Sequence, residues 1–120
     1  MEPSILDTIK KMLMVDPSYD AFDTIIIVNI NSVMLSLNEI GVGPSDVYFI
    51  TGSDETWEDF VGTATNLEAV KTYIYLNVRL LFDPPSTQPL IDAMKNQASM
   101  IEWRLKTQAE GVLYNVTTTP

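Results

Sequence analysis

The stretch from Asp20 to Gly41, DAFDTIIIVNINSVMLSLNEIG, decides the fold class of this chain. Its apolar residues recur at steps of three and four, which is the period of a helix and not the alternation of a strand. They are Phe22, Ile26, Ile30, Val33, Leu37 and Ile40. The tetrad Ile25–Val28 alone could form a buried strand, but the pattern after it favours a helix over about residues 21–40, with Asp20 as N-cap and Gly41 at its end.

This predicted helix carries more apolar surface than one core face needs. Around the tetrad, the side chains of Ile25, Ile27 and Val28 extend that surface most of the way round the helix. A helix that is apolar on all sides is either central in its own fold or shared with a neighbouring chain. Ile25, Ile27 and Val28 are therefore candidate interface residues.

Two shorter helices are predicted from their N-terminal signals. Ser4 and Asp7 have the spacing of a capping box at the start of a helix over about residues 4–14. Ser53 is placed to cap a second short helix, in which Trp57 is expected to point inward.

Two longer helices follow in the second half of the chain. Thr65 and Glu68 have capping-box spacing and predict a helix over about residues 66–82, which the prolines after it end. The last helix is expected over about residues 88–109, with Gly111 as its stop.

Two segments are expected to be extended. Val47–Ile50 lies between turn-forming residues and is typical of one short strand or an extended loop. Residues 111–120 form a tail, which is set apart from the helical domain at residues 1–110. The predicted fold class is all-α: a small bundle of three long and two short helices with a short extended insert and an extended C-terminal tail.

The amino-acid composition excludes several classes of function. The chain has 120 residues, of which 46% are hydrophobic, and it has no cysteine and no histidine. Thiolate nucleophiles, disulfides and the commonest metal ligands and general bases are thereby excluded, so we expect no enzyme, no cofactor and no metal site. No segment resembles a signal peptide or a membrane span, which indicates a protein made and kept in a cytoplasm.

Charge is distributed unevenly along the chain. The net charge is −9, and no lysine or arginine occurs from Met12 to Val70. A dense part of this acidic region surrounds Trp57 and consists of Asp54, Glu55, Glu58 and Asp59. These carboxylates could hold a hard cation, but the glycine-punctuated calcium loop is missing. A solvated surface with acids placed favourably at a helix start explains them better.

Trp103 lies off the apolar stripe of the last predicted helix, almost opposite Ile101 and Leu105. A large aromatic residue in that position is a candidate interface anchor. A loop of the same domain could equally cover it.

The order of these segments resembles the head–tail connector, or adaptor, proteins of long-tailed bacteriophages. The resemblance covers about residues 3–109 and is carried by a long helix that opens with Asp20-x-x-Asp23 and by an acidic insert. It is most specific in Tyr73–Pro85, YIYLNVRLLFDPP, which precedes a last helix containing Glu102-Trp103-Arg104. None of these segments is a catalytic signature.

The resemblance implies a structural virion protein of the neck, assembled in the host cytoplasm. Such adaptors form a ring of about twelve copies below the portal vertex and pass the channel on to a stopper or head-completion protein. A C-terminal segment grips the portal, and alternation of Val112, Tyr114 and Val116 suggests strand addition there. Acidic residues would line the channel so that DNA passes without binding. The predicted channel-lining residues are Asp46, Asp54, Glu55, Glu58 and Asp59.

Two other functions are compatible with the same residues. A monomeric helical adaptor or regulator would bind one partner without forming a ring. An enzyme restricted to Asp, Glu, Tyr and Ser would use the acidic cluster as a magnesium site, and cation-dependent thermal stability would reveal it. A DNA-binding regulator is disfavoured because no basic recognition helix is present.

Overall fold

The computed structural model describes residues 4–62 and 66–118, the last eight of them as backbone alone. These residues contain five helices and no strand, which confirms the all-α prediction. The helices are α1 (Ile5–Met12), α2 (Asp23–Glu39), α3 (Trp57–Val61), α4 (Leu67–Phe82) and α5 (Gln88–Thr118). A single antiparallel bridge between Ser4 and Thr56 joins the start of α1 to the start of α3.

α4 is the middle helix of the fold and packs against both α2 and α5. Its residues Ile74 and Val78 belong to the main core, which α1 and α2 also fill. Leu76 packs instead with Met94 and Ala98 of α5 in a second, smaller core. α2 and α5 therefore contact different residues of α4, although Leu105 of α5 also belongs to the main core. Each of the two helices keeps exposed apolar residues on its outer face.

A buried lysine joins α1 to the chain that leads into α2. The side chain of Lys10 is 1% exposed. Its ammonium group donates to the carbonyl oxygens of Pro17 at 2.9 Å and Tyr19 at 2.7 Å, and to the carboxylate of Asp23 at 2.6 Å. Three acceptors for three ammonium protons compensate for the loss of hydration on burial.

These bonds also determine where α2 begins. They hold two backbone carbonyls of the connection between α1 and α2 in a turn, so the helix starts at Asp23 and not near residue 21. Phe22 occupies the N-cap position without a side-chain bond. The prediction that Asp20 caps this helix is therefore wrong.

α3 begins with a capping box that differs from the predicted one. The hydroxyl of Thr56 accepts from the amide of Asp59 at 3.1 Å, and the carboxylate of Asp59 accepts from the amide of Thr56 at 3.4 Å. The prediction that Ser53 caps this helix is wrong, because the helix starts three residues later. Trp57 is buried, as predicted, and Phe60 of the same helix is buried beside it.

α4 matches the predicted range to within one residue at its start. Asn66 is the N-cap and makes no side-chain capping bond. The predicted capping residue Thr65 lies outside the described residues.

α5 is longer than the sequence predicts and runs to Thr118. The prediction that α5 stops at Gly111 is therefore wrong. The prediction that the following residues are extended is also wrong for residues up to Thr118. A glycine inside a helix costs only about 1 kcal/mol relative to alanine, so it does not by itself end one. Because the side chains of Asn66 and Gln108 are hydrogen-bonded at 3.1 Å, α4 begins beside Gln108. The remaining α5 backbone extends past α4 by about 15 Å.

Candidate interaction surfaces

The insert between α2 and α3 is a loop pinned to α2, and it contains no strand among its described residues. Asn31 of α2 holds its centre, because the side-chain amide donates to the carbonyl of Ile50 at 2.9 Å. The side-chain oxygen of Asn31 accepts from the amide of Ile50 at 2.8 Å. This pair of bonds satisfies both backbone groups of a residue that is almost fully buried.

A second asparagine holds the beginning of the insert. Two turns along α2 from Asn31, the side-chain amide of Asn38 donates to the carbonyls of Pro44 and Ser45, both at 3.2 Å. Gly43 has φ +90°, and a Cβ atom at this position would lie 2.5 Å from the ring of Phe60. Only glycine combines that backbone conformation with such close approach of a ring.

Glu55 shapes the end of the insert. Its carboxylate accepts from the hydroxyl of Thr51 at 2.8 Å and from the amide of Thr51 at 3.0 Å. Burial raises the pKa of Glu55, but the hydrogen bonds from Thr51 and Gly52 together outweigh burial and lower the pKa below its ordinary value. The hydrogen bonds that the Glu55 carboxylate accepts therefore favour its charged form and hold the end of the loop in place.

The other acids of the predicted channel surface are exposed: Asp46, Asp54, Glu58 and Asp59. Burial raises the pKa of the Tyr48 phenol most, and the negative charges of Asp59 and Glu55 raise it further. In the part of the chain that the structure describes, no three carboxylates are grouped so that they could hold a metal ion. The arrangement can repel anions, and it offers no built cation site.

The outer face of α2 carries two of the three predicted interface residues. Ile25 and Val28 are about half exposed, whereas Ile27 is partly buried and packs against the main core. Sequence reasoning missed Leu35, which is equally exposed on the same face. Its spacing from Ile25 and Val28, ten and seven residues, was the available signal.

Trp103 is exposed to 67% of its surface, so no described loop of the domain covers it. A hollow of about 320 Å³ on one flank is lined in part by Met100 and Arg104. A second hollow of about 270 Å³ on the other flank is lined in part by Glu102 and Lys106. The indole therefore stands between two recesses on the outer face of α5. Sequence reasoning also missed Met100, which is itself more than half exposed.

The predicted portal-binding residues lie in the last part of α5. Val112, Tyr114 and Val116 were expected to alternate as in a strand, but the backbone there is helical. Residues two apart in a helix lie about 200° apart around its axis, so the three do not share one face. Their side chains lie outside the described residues.

These surfaces belong to a chain whose sequence matches a known family almost end to end. The family model described as phage connector protein matches residues 5–112. The chain belongs to the phage connector protein family. No curated protein and no solved structure matches it.

Membership of the phage connector family makes this chain a structural component of a phage virion, with a role in connecting head and tail. The match includes the whole of α2, the acidic insert and α5 as far as residue 112. Among the described residues, none of the helices combines the length and the hydropathy needed to cross a membrane.

Proposed function

We propose that this connector forms a closed ring below the capsid portal and joins the portal to the stopper or head-completion protein. The ring would contain about twelve copies and would enclose a channel through which DNA passes. The observation that carries the proposal is the family match over residues 5–112, together with exposed apolar faces on two different helices. A closed ring requires two different faces on each protomer, because the same contact repeats in one direction.

The acidic insert is the proposed lining of the channel. Asp46 and Asp54 are exposed on the loop whose end Glu55 holds, and Glu58 and Asp59 are exposed in the first turn of α3. Bonds from Asn31 fix this loop to α2, so the charges would be held in place when DNA moves past. Repeated carboxylates repel the phosphate backbone and leave no site at which it can bind.

The C-terminal end of α5 is the proposed contact with the portal. It extends past α4 by about 15 Å, and a short isolated helix is only marginally stable in water. Binding in a groove of a partner would cover it. Recovery of portal-bound rings after deletion of residues 112–120 would contradict this part of the proposal.

The test is the mass of the purified protein by light scattering, alone and after mixing with portal rings. The monomer has a mass of 13.4 kDa. A species of about twelve times that mass in either condition supports the connector ring. A protein that stays monomeric and does not bind portals would contradict the ring and would favour a monomeric helical adaptor or regulator.

A further inference from the structure

The order of the helices leaves two edges without a partner. α4 lies between α2 and α5 and packs against both. Among the described residues, α2 and α5 make no extensive contact with each other. Each therefore presents an outer face on which no described residue of the chain packs.

The outer face of α2 is a narrow aliphatic seam, which we call the α2 seam. Ile25, Val28 and Leu35 are 49%, 54% and 47% exposed. With the exposed Ser32 they follow the spacing of three and four residues that places side chains along one line of a helix. That spacing is the one used when a second helix packs alongside.

The outer face of α5 carries a second seam of different composition, which we call the α5 seam. Met100 and Trp103 are its large members. Ala93, Asn96 and Thr107 continue it at steps of three and four, and all three are exposed and uncharged. A helix surface that keeps charge off one line over four turns is typical of a buried contact and not of a solvated face.

The charges beside the two seams differ. Asp20, just before α2, and Glu39, at its end, are exposed acids, and this part of the chain contains no base between Met12 and Val70. Beside the α5 seam, the exposed bases Lys95, Arg104 and Lys106 alternate with the exposed acids Asp92 and Glu102. Contact between the α2 seams of two copies would bring only acids together, whereas contact of an α5 seam with an α2 seam places bases of α5 within reach of those acids.

We propose that the α5 seam of one copy packs on the α2 seam of the next copy, so that each protomer uses one edge to bind and the other to be bound. The contact is heterologous, with Trp103 as the aromatic anchor on the aliphatic residues Ile25, Val28 and Leu35. This inference rests on the proposed ring, because it names the two surfaces that would meet at each joint. It also assigns to Leu35 and Met100 a role in assembly.

A complementation experiment tests this head-to-tail contact directly. Val28→Asp places a charge in the α2 seam and leaves the α5 seam intact, and Trp103→Asp does the reverse. Both side chains are exposed, so folding should be retained, which circular dichroism and thermal melting would verify. Met14→Asp is the matched control, because it removes an exposed apolar side chain outside both seams.

Each seam variant alone should associate at least about 30-fold more weakly than the wild type, as expected for loss of an interface anchor. An equimolar mixture of the two variants should form a heterodimer, because one intact α5 seam meets one intact α2 seam. It should not grow further. Light scattering and sedimentation velocity measure both results, and Met14→Asp should assemble as the wild type does.

Other outcomes separate this inference from the proposed ring. If both seam variants still form rings, the ring stands and the pairing of the two seams is wrong. If each variant fails to assemble and their mixture also stays monomeric, the α5 seam and the α2 seam do not bind each other, and the inference is overturned. If the wild type forms open chains without a closed ring and the mixture forms heterodimers, the contact is real and the closed ring is wrong. If neither the wild type nor the mixture associates, even with portal rings present, both proposals fail.

The chain has no cysteine, which permits a second, independent test. Leu35→Cys and Met100→Cys in one chain should be joined by a short bifunctional maleimide into a ladder of covalent oligomers. Replacing the second position by Lys11→Cys, an exposed site outside both seams, should give no ladder. An equal ladder from the control pair would contradict the proposed contact.

Discussion

Lys10 illustrates how a single residue can join distant parts of a small helical fold. Its ammonium group meets two carbonyls and one carboxylate, and among the described residues no buried side-chain nitrogen or oxygen lacks a partner. A lysine on the inner side of a short helix would ordinarily weaken a core. Here its three bonds connect α1 to the start of α2.

Lys10→Met should therefore destabilise the protein although it keeps the apolar stem. It leaves the carboxylate of Asp23 and two carbonyls without their donor, and the expected loss is about 2–3 kcal/mol of unfolding free energy. Lys11→Met is the matched control, because Lys11 is exposed, and it should change stability by no more than about 0.5 kcal/mol. Urea denaturation measures both. Equal effects of the two substitutions would show that the bonds of Lys10 contribute nothing specific.

Asn31 has a comparable role for the acidic insert. Asn31→Ala removes both hydrogen bonds to the backbone of Ile50 and leaves a buried amide and carbonyl unpaired. The expected loss is about 2 kcal/mol, together with faster hydrogen exchange of the Ile50 amide. Asn38→Ala removes longer bonds to carbonyls that water can reach, so it should cost less. Unchanged exchange at Ile50 in Asn31→Ala would contradict the pinning of the loop.

At the scale of whole elements, α5 differs most from expectation. It continues through Gly111, where a glycine was expected to end it, and it extends past α4. The difference matters because a helical end and an extended tail would bind a partner in different ways. A helix offers faces at a period of 3.6 residues, whereas a strand offers its backbone to a sheet edge.

The helical state of Gly111 can be tested by one substitution. Gly111→Ala should stabilise the end of α5 by about 1 kcal/mol, because alanine loses less backbone entropy in a helix. Carbon chemical shifts at residues 112–118 should move toward helical values. If Gly111 instead ended the helix with a positive φ, alanine would be strained there and helix content would fall. Gly52→Ala, outside any helix and free of close contacts, is the control and should leave these shifts unchanged.

At the scale of the whole molecule, the uneven distribution of charge is the main property. The net charge of −9 arises from a front half without bases beyond residue 11 and a more balanced back half. In a ring, every copy would direct the same acidic insert toward the same side. The uneven charge along the chain would then become a concentration of negative charge on one side of the ring. Solubility would be explained by the net charge alone, whereas a channel lining depends on where the acids lie.

Reversing charge at the proposed lining should therefore have an effect that depends on position. The triple substitution Asp46→Lys, Asp54→Lys and Glu58→Lys should make assembled rings retain duplex DNA at about 0.1 M salt, with retention falling steeply as salt increases. The control, Asp16→Lys, Asp83→Lys and Glu110→Lys, replaces three exposed acids and makes the same change in net charge away from the insert. Gel shifts of purified rings measure retention. Equal retention by both triple variants would show that the insert does not line the channel.

The helical class and most element positions could be predicted from the sequence, because they depend on residues close together in the chain. Apolar residues at steps of three and four specify α2 and α4 wherever the rest of the chain lies. The burial of Trp57 and Phe60 follows from the same periodicity. The exposure of Trp103 could not be predicted in this way, because a loop of the same domain could equally have covered it. The excess of acidic residues in the first half of the chain is evident from the sequence alone. The residues that carry the resemblance to connector proteins are evident from it as well.

The tertiary structure alone decided the features that depend on residues far apart. α2 starts at Asp23 because the ammonium of Lys10, 13 residues earlier, is bound there. The insert is a pinned loop because Asn31 reaches Ile50, 19 residues later. The two free seams exist because α4 lies between α2 and α5 and leaves their outer faces uncovered. Local propensities are worth about 1 kcal/mol each, so a buried ion pair or a packed neighbour overrides them, and residue spacing does not encode which neighbour that is.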